Sequence, residues 1–119
     1  MDTLRLLGIQ LETRLGVYPW EQYQQQILFL DLALGIEPIA ARTDCLEDAV
    51  DYEQLVIQLR EHYYSKSFKL LEALAEDIAF FLLSRFRLQK VKLYLVKPGI
   101  LGKVKEIGIE IERTQRGLL

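Results

Sequence analysis

The sequence predicts an α+β protein that combines an antiparallel sheet with two helices. Three observations in the 119-residue chain support this prediction: two alternating segments at the start, two helical segments in the middle and two more alternating segments at the end. Apolar residues at every second position predict half-buried strands, and spacings of three and four predict amphipathic helices. The expected order is strand, strand, helix, helix, strand, strand, within one domain spanning residues 1–119.

The opening segments predict an antiparallel hairpin of two long strands. A loop at 16–22, containing Pro19, separates them, and Pro38 ends the second strand. Polar residues alternate with the apolar positions of the first strand, as expected when one face is buried. The apolar positions of that face are Ile9, Leu11, Leu15 and Val17, followed by Leu28, Leu30, Leu32, Leu34 and Ile36.

A polar linker at 40–51 leads to two predicted helices. The first begins at Tyr52, and either Ser65 or Ser67 can cap the second. The apolar stripe of the first helix is Tyr52, Leu55, Val56, Leu59 and Tyr63. The stripe of the second is Leu70, Leu71, Leu74, Ala75, Ile78, Leu82 and Phe86.

Two further strands are predicted at the end of the chain, separated by a segment that begins Lys97-Pro98-Gly99. Their apolar positions are Val91, Leu93 and Leu95, then Ile107, Ile109 and Ile111. A four-stranded sheet exposes the hydrogen-bonding groups of its two outer strands, and proteins usually close or cover such edges. Because neither outer strand is short, blocked by proline or strongly charged, we expect edge-to-edge association between subunits.

Composition excludes several classes of function. A net charge of −2 and a pI near 5.4 lack the basic footprint of a general nucleic-acid binder. The longest apolar run, Ile78–Leu83, is far shorter than the 18 or so residues of a membrane span. The single cysteine, Cys45, allows no internal disulfide and fits a reducing cytoplasm.

Metal and nucleotide chemistry is also poorly supported. Cys45 and His62 are the only cysteine and histidine, whereas zinc sites require several such ligands. The glycines form no phosphate-binding loop of the GxGxxG or GxxxxGK[ST] type. Magnesium or calcium bound by carboxylates is the alternative that composition leaves open, although no calcium-loop spacing is present. We expect no metal and no cofactor, and any catalysis would depend on carboxylates, lysine and tyrosine.

Glu72 is the most informative polar residue. On a helical wheel it falls between Ala79 and Leu83, inside the apolar arc of the second helix. A carboxylate in that position requires a partner, because an unpaired buried charge is costly. That partner could be a ligand or an intrachain cation such as Arg85, and exposure at the edge of the stripe is the remaining alternative.

Three other side chains could take part in chemistry. Lys97 ends an apolar strand, so a turn would place its amine at the rim of the sheet, where partial burial would adapt it for proton transfer. Tyr52 could relay protons from the start of the first helix, and Glu21 lies in the loop after Trp20. Each side chain could instead have no role in chemistry: Lys97 and Glu21 would then be solvated at the surface, and Tyr52 would pack against its neighbours.

Together, four segments resemble the dihydroneopterin aldolase family of bacterial folate biosynthesis. They are GVYPWEQ, DAVDYEQL, FKLLEALAEDIA and LVKPG…GIEIER. The resemblance extends from about Leu4 to Arg113, with the segments in family order and at family spacing. It implies the T-fold, or tunnelling fold, in which four subunits close their sheets into a barrel and two such rings can stack into an octamer.

The resemblance also implies roles for individual residues at pterin sites between subunits. Glu72 resembles the carboxylate that anchors the pterin ring, and Leu71 resembles the neighbour whose backbone contacts that ring. Lys97 resembles the catalytic lysine, Tyr52 the proton-relay tyrosine and Glu21 the acid that contacts the substrate side chain.

The implied reaction is the metal-independent retro-aldol cleavage of 7,8-dihydroneopterin, with a possible C2′ epimerase activity at the same site. Dihydroneopterin triphosphate epimerase shares this architecture and is the nearest alternative. A non-catalytic pterin-binding scaffold is the alternative from a different class of protein. Such a scaffold would need a ring anchor such as Glu72 but no proton relay.

Overall fold

The computed structural model describes residues 1–101 and 103–115, and it has the predicted α+β architecture. Within these residues the strands are β1 (Asp2–Leu15), β2 (Gln26–Ile36), β3 (Ser67–Phe68), β4 (Lys90–Leu101) and β5 (Val104–Thr114). The helices are α1 (Pro19–Gln22), α2 (Ile39–Thr43), α3 (Tyr52–Tyr64) and α4 (Leu71–Arg85), with a 3-10 turn at Leu46–Asp48. None of these helices is long and apolar enough to cross a membrane.

The strands form one sheet in the order β3-β1-β2-β4-β5. The β1–β2, β2–β4 and β4–β5 pairs are antiparallel, as predicted. The sequence did not predict β3, a two-residue strand that pairs in parallel with Arg14 and Leu15 at the end of β1. Within the described residues, β5 and most of β1 therefore keep an unpaired edge.

The core lies between one face of this sheet and helices α3 and α4. Helix α3 packs against β1, and α4 packs against β4 and β5. The alternating leucines of β2 are fully buried on this face, in the predicted register: Leu28, Leu30, Leu32 and Leu34. The opposite face carries both charged and apolar side chains: ion pairs join Lys90 to Glu112 and Lys92 to Glu110, and Ile27 and Phe29 are exposed there. One-sided burial explains why the alternation in the sequence was informative.

The predicted strand ends and helix start need correction. Strand β1 ends at Leu15, so Val17 lies outside it and is exposed. Neither Ser65 nor Ser67 caps the second helix: Ser67 belongs to β3, and α4 begins at Leu71 without a side-chain cap. The predicted loop at 16–22 contains α1, and the predicted linker contains α2 and the 3-10 turn.

Strand β4 continues beyond Lys97, which was predicted to end it. Pro98 pairs with Glu106 of β5, and the pairing becomes irregular between Pro98 and Leu101. The β2–β4 pairing ends at Val96, so β4 has only one neighbour at Pro98. A proline is tolerated there because its missing N–H faces no second strand.

Candidate active site

Glu21 and Lys97 form a nearly buried ion pair at the end of β1. The Lys97 Nζ lies 3.0 Å from Glu21 Oε2 and 3.4 Å from the backbone carbonyl oxygen of Leu15. The side chains of Lys97 and Glu21 are only 15% and 11% exposed. These residues are 76 positions apart in the sequence, and no local pattern indicated that they meet.

The short helix α1 and the loop before it hold Glu21 in place. The second carboxylate oxygen of Glu21 accepts a hydrogen bond from the Tyr18 N–H at 3.3 Å, and Pro19 starts the helix. Gly16 has a φ of +148°, and a Cβ atom there would lie 2.1 Å from Glu21 Cδ. Only glycine therefore combines this backbone conformation with such close packing against the carboxylate.

Lys97 controls the ionisation of its partner. The hydrogen bond from Lys97 lowers the pKa of Glu21, and this effect outweighs burial, which would raise it. The carboxylate is thus ionised at neutral pH and held beside a lysine amine. A buried charge of either sign would be costly without the other. The pair places a proton donor and an acceptor together in a site that largely excludes water.

Leu71 and Glu72 lie at the same end of the sheet. Helix α4 starts three residues after β3, and the Gly16 N–H donates to the carbonyl of Phe68 at 3.0 Å. Leu71 is half-buried and Glu72 is exposed, which agrees with the alternative of exposure at the edge of the apolar stripe. The helical wheel gave the correct face for Ala79 and Leu83, which are buried further along α4.

Tyr52 lies at the opposite end of the sheet. It is 58% exposed, although the other members of its predicted stripe are buried or half-buried. Tyr52 lines a cavity of about 210 Å³ together with Leu4, Ile36 and Arg87. At about 3.3 Å per residue, β1 places Leu4 roughly 35 Å from Leu15, beside which Lys97 is held. One chain therefore brings Glu21 and Lys97 together but keeps Tyr52 away from them.

Gln22 is a polar residue of this region that the sequence analysis did not single out. Its side-chain amide donates to the backbone carbonyls of Gly16 and Phe68, and its side-chain oxygen accepts from the Ser67 hydroxyl. Its only sequence signal was its place in GVYPWEQ directly after Glu21.

The chain is similar over nearly its whole length to known proteins. A family model described as dihydroneopterin aldolase (FolB) matches residues 4–112. Dihydroneopterin aldolase of Escherichia coli K12 is 32% identical over 95% of this chain and 93% of its own length. The Haemophilus influenzae enzyme is also 32% identical, over 95% of this chain and 97% of its own.

Solved structures also match the fold closely. A putative dihydroneopterin aldolase (FolB) from Vibrio cholerae superposes with a TM-score of 0.91 at 34% identity, covering 97% of this chain and 98% of its own. Escherichia coli dihydroneopterin aldolase in complex with neopterin superposes with a TM-score of 0.88 at 32% identity, covering 95% of this chain and 99% of its own.

Proposed function

Because this chain belongs to the dihydroneopterin aldolase family, we propose that it cleaves 7,8-dihydroneopterin by a retro-aldol reaction. The products are 6-hydroxymethyl-7,8-dihydropterin and glycolaldehyde. The observation that carries this proposal is the nearly buried Glu21–Lys97 pair, which places an amine beside a fixed carboxylate. A role in folate biosynthesis and an unpaired Cys45 support a cytoplasmic location.

Substrate binding would begin with the pterin ring at the start of α4. The Glu72 carboxylate would accept hydrogen bonds from the amino group and the adjacent ring N–H, a two-point contact that suits a carboxylate. The backbone of Leu71 would contact the same ring. The exposure of Glu72 leaves its oxygens available for such a ligand. Glu21 would then contact the hydroxylated side chain of the substrate.

The reaction requires a base for the 2′-hydroxyl and a place for the electrons of the C1′–C2′ bond. Lys97 would help remove the hydroxyl proton through a water molecule, so that C2′ becomes the carbonyl carbon of glycolaldehyde. The bond electrons would move into the C6=N5 imine of the pterin, and Lys97 would help protonate N5. Tyr52 would help return a proton to C1′, while N5 gives its proton back to Lys97 and the C6=N5 imine is restored. Each such transfer by a positioned group contributes roughly 10²- to 10⁴-fold in rate.

The same intermediate accounts for epimerase activity. If glycolaldehyde added back on its other face before leaving, C2′ would be inverted. The pterin ring itself accepts the electrons, so the proposed cleavage needs neither a metal ion nor a covalent Schiff base.

We further propose that the complete site forms between chains of a homo-oligomer, either a tetramer or an octamer. The separation of Tyr52 from Lys97 along β1 supports this arrangement, as do the unpaired edges of β1 and β5. In this arrangement Tyr52 of a neighbouring chain would lie beside Lys97 of the first chain.

The direct test is to incubate the purified protein with 7,8-dihydroneopterin in the presence of EDTA and to follow products by chromatography with fluorescence detection. We expect 6-hydroxymethyl-7,8-dihydropterin and glycolaldehyde. Epimer alone would instead indicate an epimerase. Tight neopterin binding without turnover would indicate a binding protein and contradict the proposal.

A further inference from the structure

The side chain of Gln22 connects the two segments that carry Glu21 and Glu72. Gln22 ends α1 and directly follows Glu21. Its Nε2 donates to the carbonyl of Gly16, in the loop packed against Glu21, and to that of Phe68 in β3 at 3.3 Å. Its Oε1 accepts from Ser67, also in β3. A single half-buried amide thus uses both its donor and its acceptor to join α1 to β3.

Strand β3 makes few other hydrogen bonds, although Phe68 packs against the core and the Thr13 hydroxyl donates to the carbonyl of Lys66, just before the strand, at 3.0 Å. It consists of only two residues, so its ladder with β1 contributes few hydrogen bonds. Additional backbone bonds run from Gly16 to Phe68 at 3.0 Å and from Arg14 to Lys66 at 3.3 Å. Helix α4 starts three residues after β3, with Glu72 in its first turn. Glu72 therefore lies only four positions after the end of β3.

We infer that Gln22 is a positioning residue, which sets the start of α4 relative to the Glu21–Lys97 pair. This inference rests on the proposed function, in which Glu72 holds the pterin ring while Lys97 acts on the side chain of the same molecule. One rigid substrate must then reach both groups at once. A misplacement of about 1 Å between such groups can reduce the rate roughly 100-fold.

The experiment compares Gln22→Ala with Gln25→Ala. Gln25 is a matched control because its amide also joins the α1–β2 loop to a backbone carbonyl, that of Tyr64, at 2.7 Å. That bond reaches the end of α3 and does not involve β3. We expect Gln22→Ala to lower kcat/KM for 7,8-dihydroneopterin about tenfold and to weaken neopterin binding. Gln25→Ala should stay within about twofold of the parent, at a comparable Tm.

Ser67 gives a second test if Gln22→Ala fails to fold. Ser67→Ala removes only the hydroxyl bonded to Gln22, and the residue is exposed, so the fold should be retained. We expect about a fivefold loss in kcat/KM, the value of one hydrogen bond, and recovery in Ser67→Thr.

Equal kcat/KM and equal neopterin affinity in the Gln22 and Gln25 variants would overturn the inference. Unchanged kinetics in Ser67→Ala would overturn it if Gln22→Ala could not be purified. If the unmodified protein bound neopterin without turnover, the proposed function would fail, and neopterin affinity would still decide the role of Gln22.

Discussion

At one end of β1 the structure buries a charged pair, and at the other end it leaves a tyrosine on the surface. Glu21 and Lys97 neutralise each other within a single chain, supported by Gly16 and Tyr18. Tyr52 instead borders an open cavity. The difference follows from the free energy of burying each group. An ion that is removed from water needs a fixed partner of opposite charge, whereas the neutral phenol of Tyr52 is exposed and needs none. The charged end is thus preformed, and the tyrosine end depends on what covers it.

The strongest test of this contrast is to mutate each end separately and then mix the variants. Lys97→Ala should lower kcat by roughly 10²- to 10⁴-fold while neopterin still binds, because it removes a proton-transfer group. Tyr52→Phe should also lower kcat. When the two inactive variants are refolded together in equal amounts, about a quarter of the sites between neighbouring chains would contain both native groups. Steady-state turnover of the mixture measures this recovery.

Recovery would place Lys97 and Tyr52 of one site on different chains. A mixture no more active than the separate variants would contradict a shared site. Refolding each variant alone provides the control for losses during refolding.

Glu72→Ala should weaken neopterin binding at least about 100-fold, since two hydrogen bonds to a charged group contribute roughly 3 kcal/mol or more. Fluorescence titration measures the Kd. Glu76→Ala, in the same helix, is the matched control: its surface ion pair with Arg113 is worth little, and binding should stay within about twofold. An equal effect of both substitutions would remove Glu72 from the ring-binding role.

Gly16→Ala tests whether the close packing of Gly16 against Glu21 is needed to hold the Glu21–Lys97 pair. The new methyl group would meet Glu21, and the backbone strain alone should cost about 1–3 kcal/mol of unfolding free energy. Gly8→Ala is the control, because Gly8 also has a positive φ, +74°, but a Cβ atom added there would have no neighbour within 4 Å. Urea unfolding and turnover together separate the effects. Equal losses of activity in both variants would show that contact with Glu21 is unimportant.

The smallest expected effect is on the pH dependence of stability. Because Lys97 lowers the pKa of Glu21 below its ordinary 4.5, the pair stabilises the fold above that pH. This contribution is lost as the pH falls through the folded-state pKa. The parent's stability advantage over Glu21→Gln, measured by urea unfolding, should therefore shrink below about pH 4.5. The exposed Glu61→Gln should show no comparable change, and parallel pH curves for parent and Glu21→Gln would refute the effect.

Much of the fold could be predicted from the sequence because burial is one-sided. The alternating leucines of β2 and most of the stripes of α3 and α4 reflect a single core and were assigned to the correct faces, except that Tyr52 and Leu70 at the starts of the two stripes are exposed and Leu70 precedes α4. Strand β3 could not be predicted, since two residues cannot display a period. Its pairing depends on where the chain returns after α3.

The geometry of the candidate site could not be predicted from the sequence. The Glu21–Lys97 contact results from the pairing of β4 with the rest of the sheet, which no local pattern encodes. The exposure of Glu72 was one of the alternatives left open, because a helical wheel alone does not show whether a residue at the edge of a stripe is covered. The hydrogen bonds of Gln22 to Ser67 and Phe68 were missed because these residues are 45 and 46 positions away, and no local pattern encodes such contacts.

If the proposed site is shared, with its Lys97 half at one end of β1 and its Tyr52 half at the other, the number of complete sites depends on how the chains associate. A row of such chains with free ends would hold one fewer complete site than it has chains, whereas a closed ring would leave no half-site unused. Closing the ring would therefore increase the number of complete sites per chain without any change in the residues of each site. Dilution into single chains would abolish catalysis even though every chain remained folded.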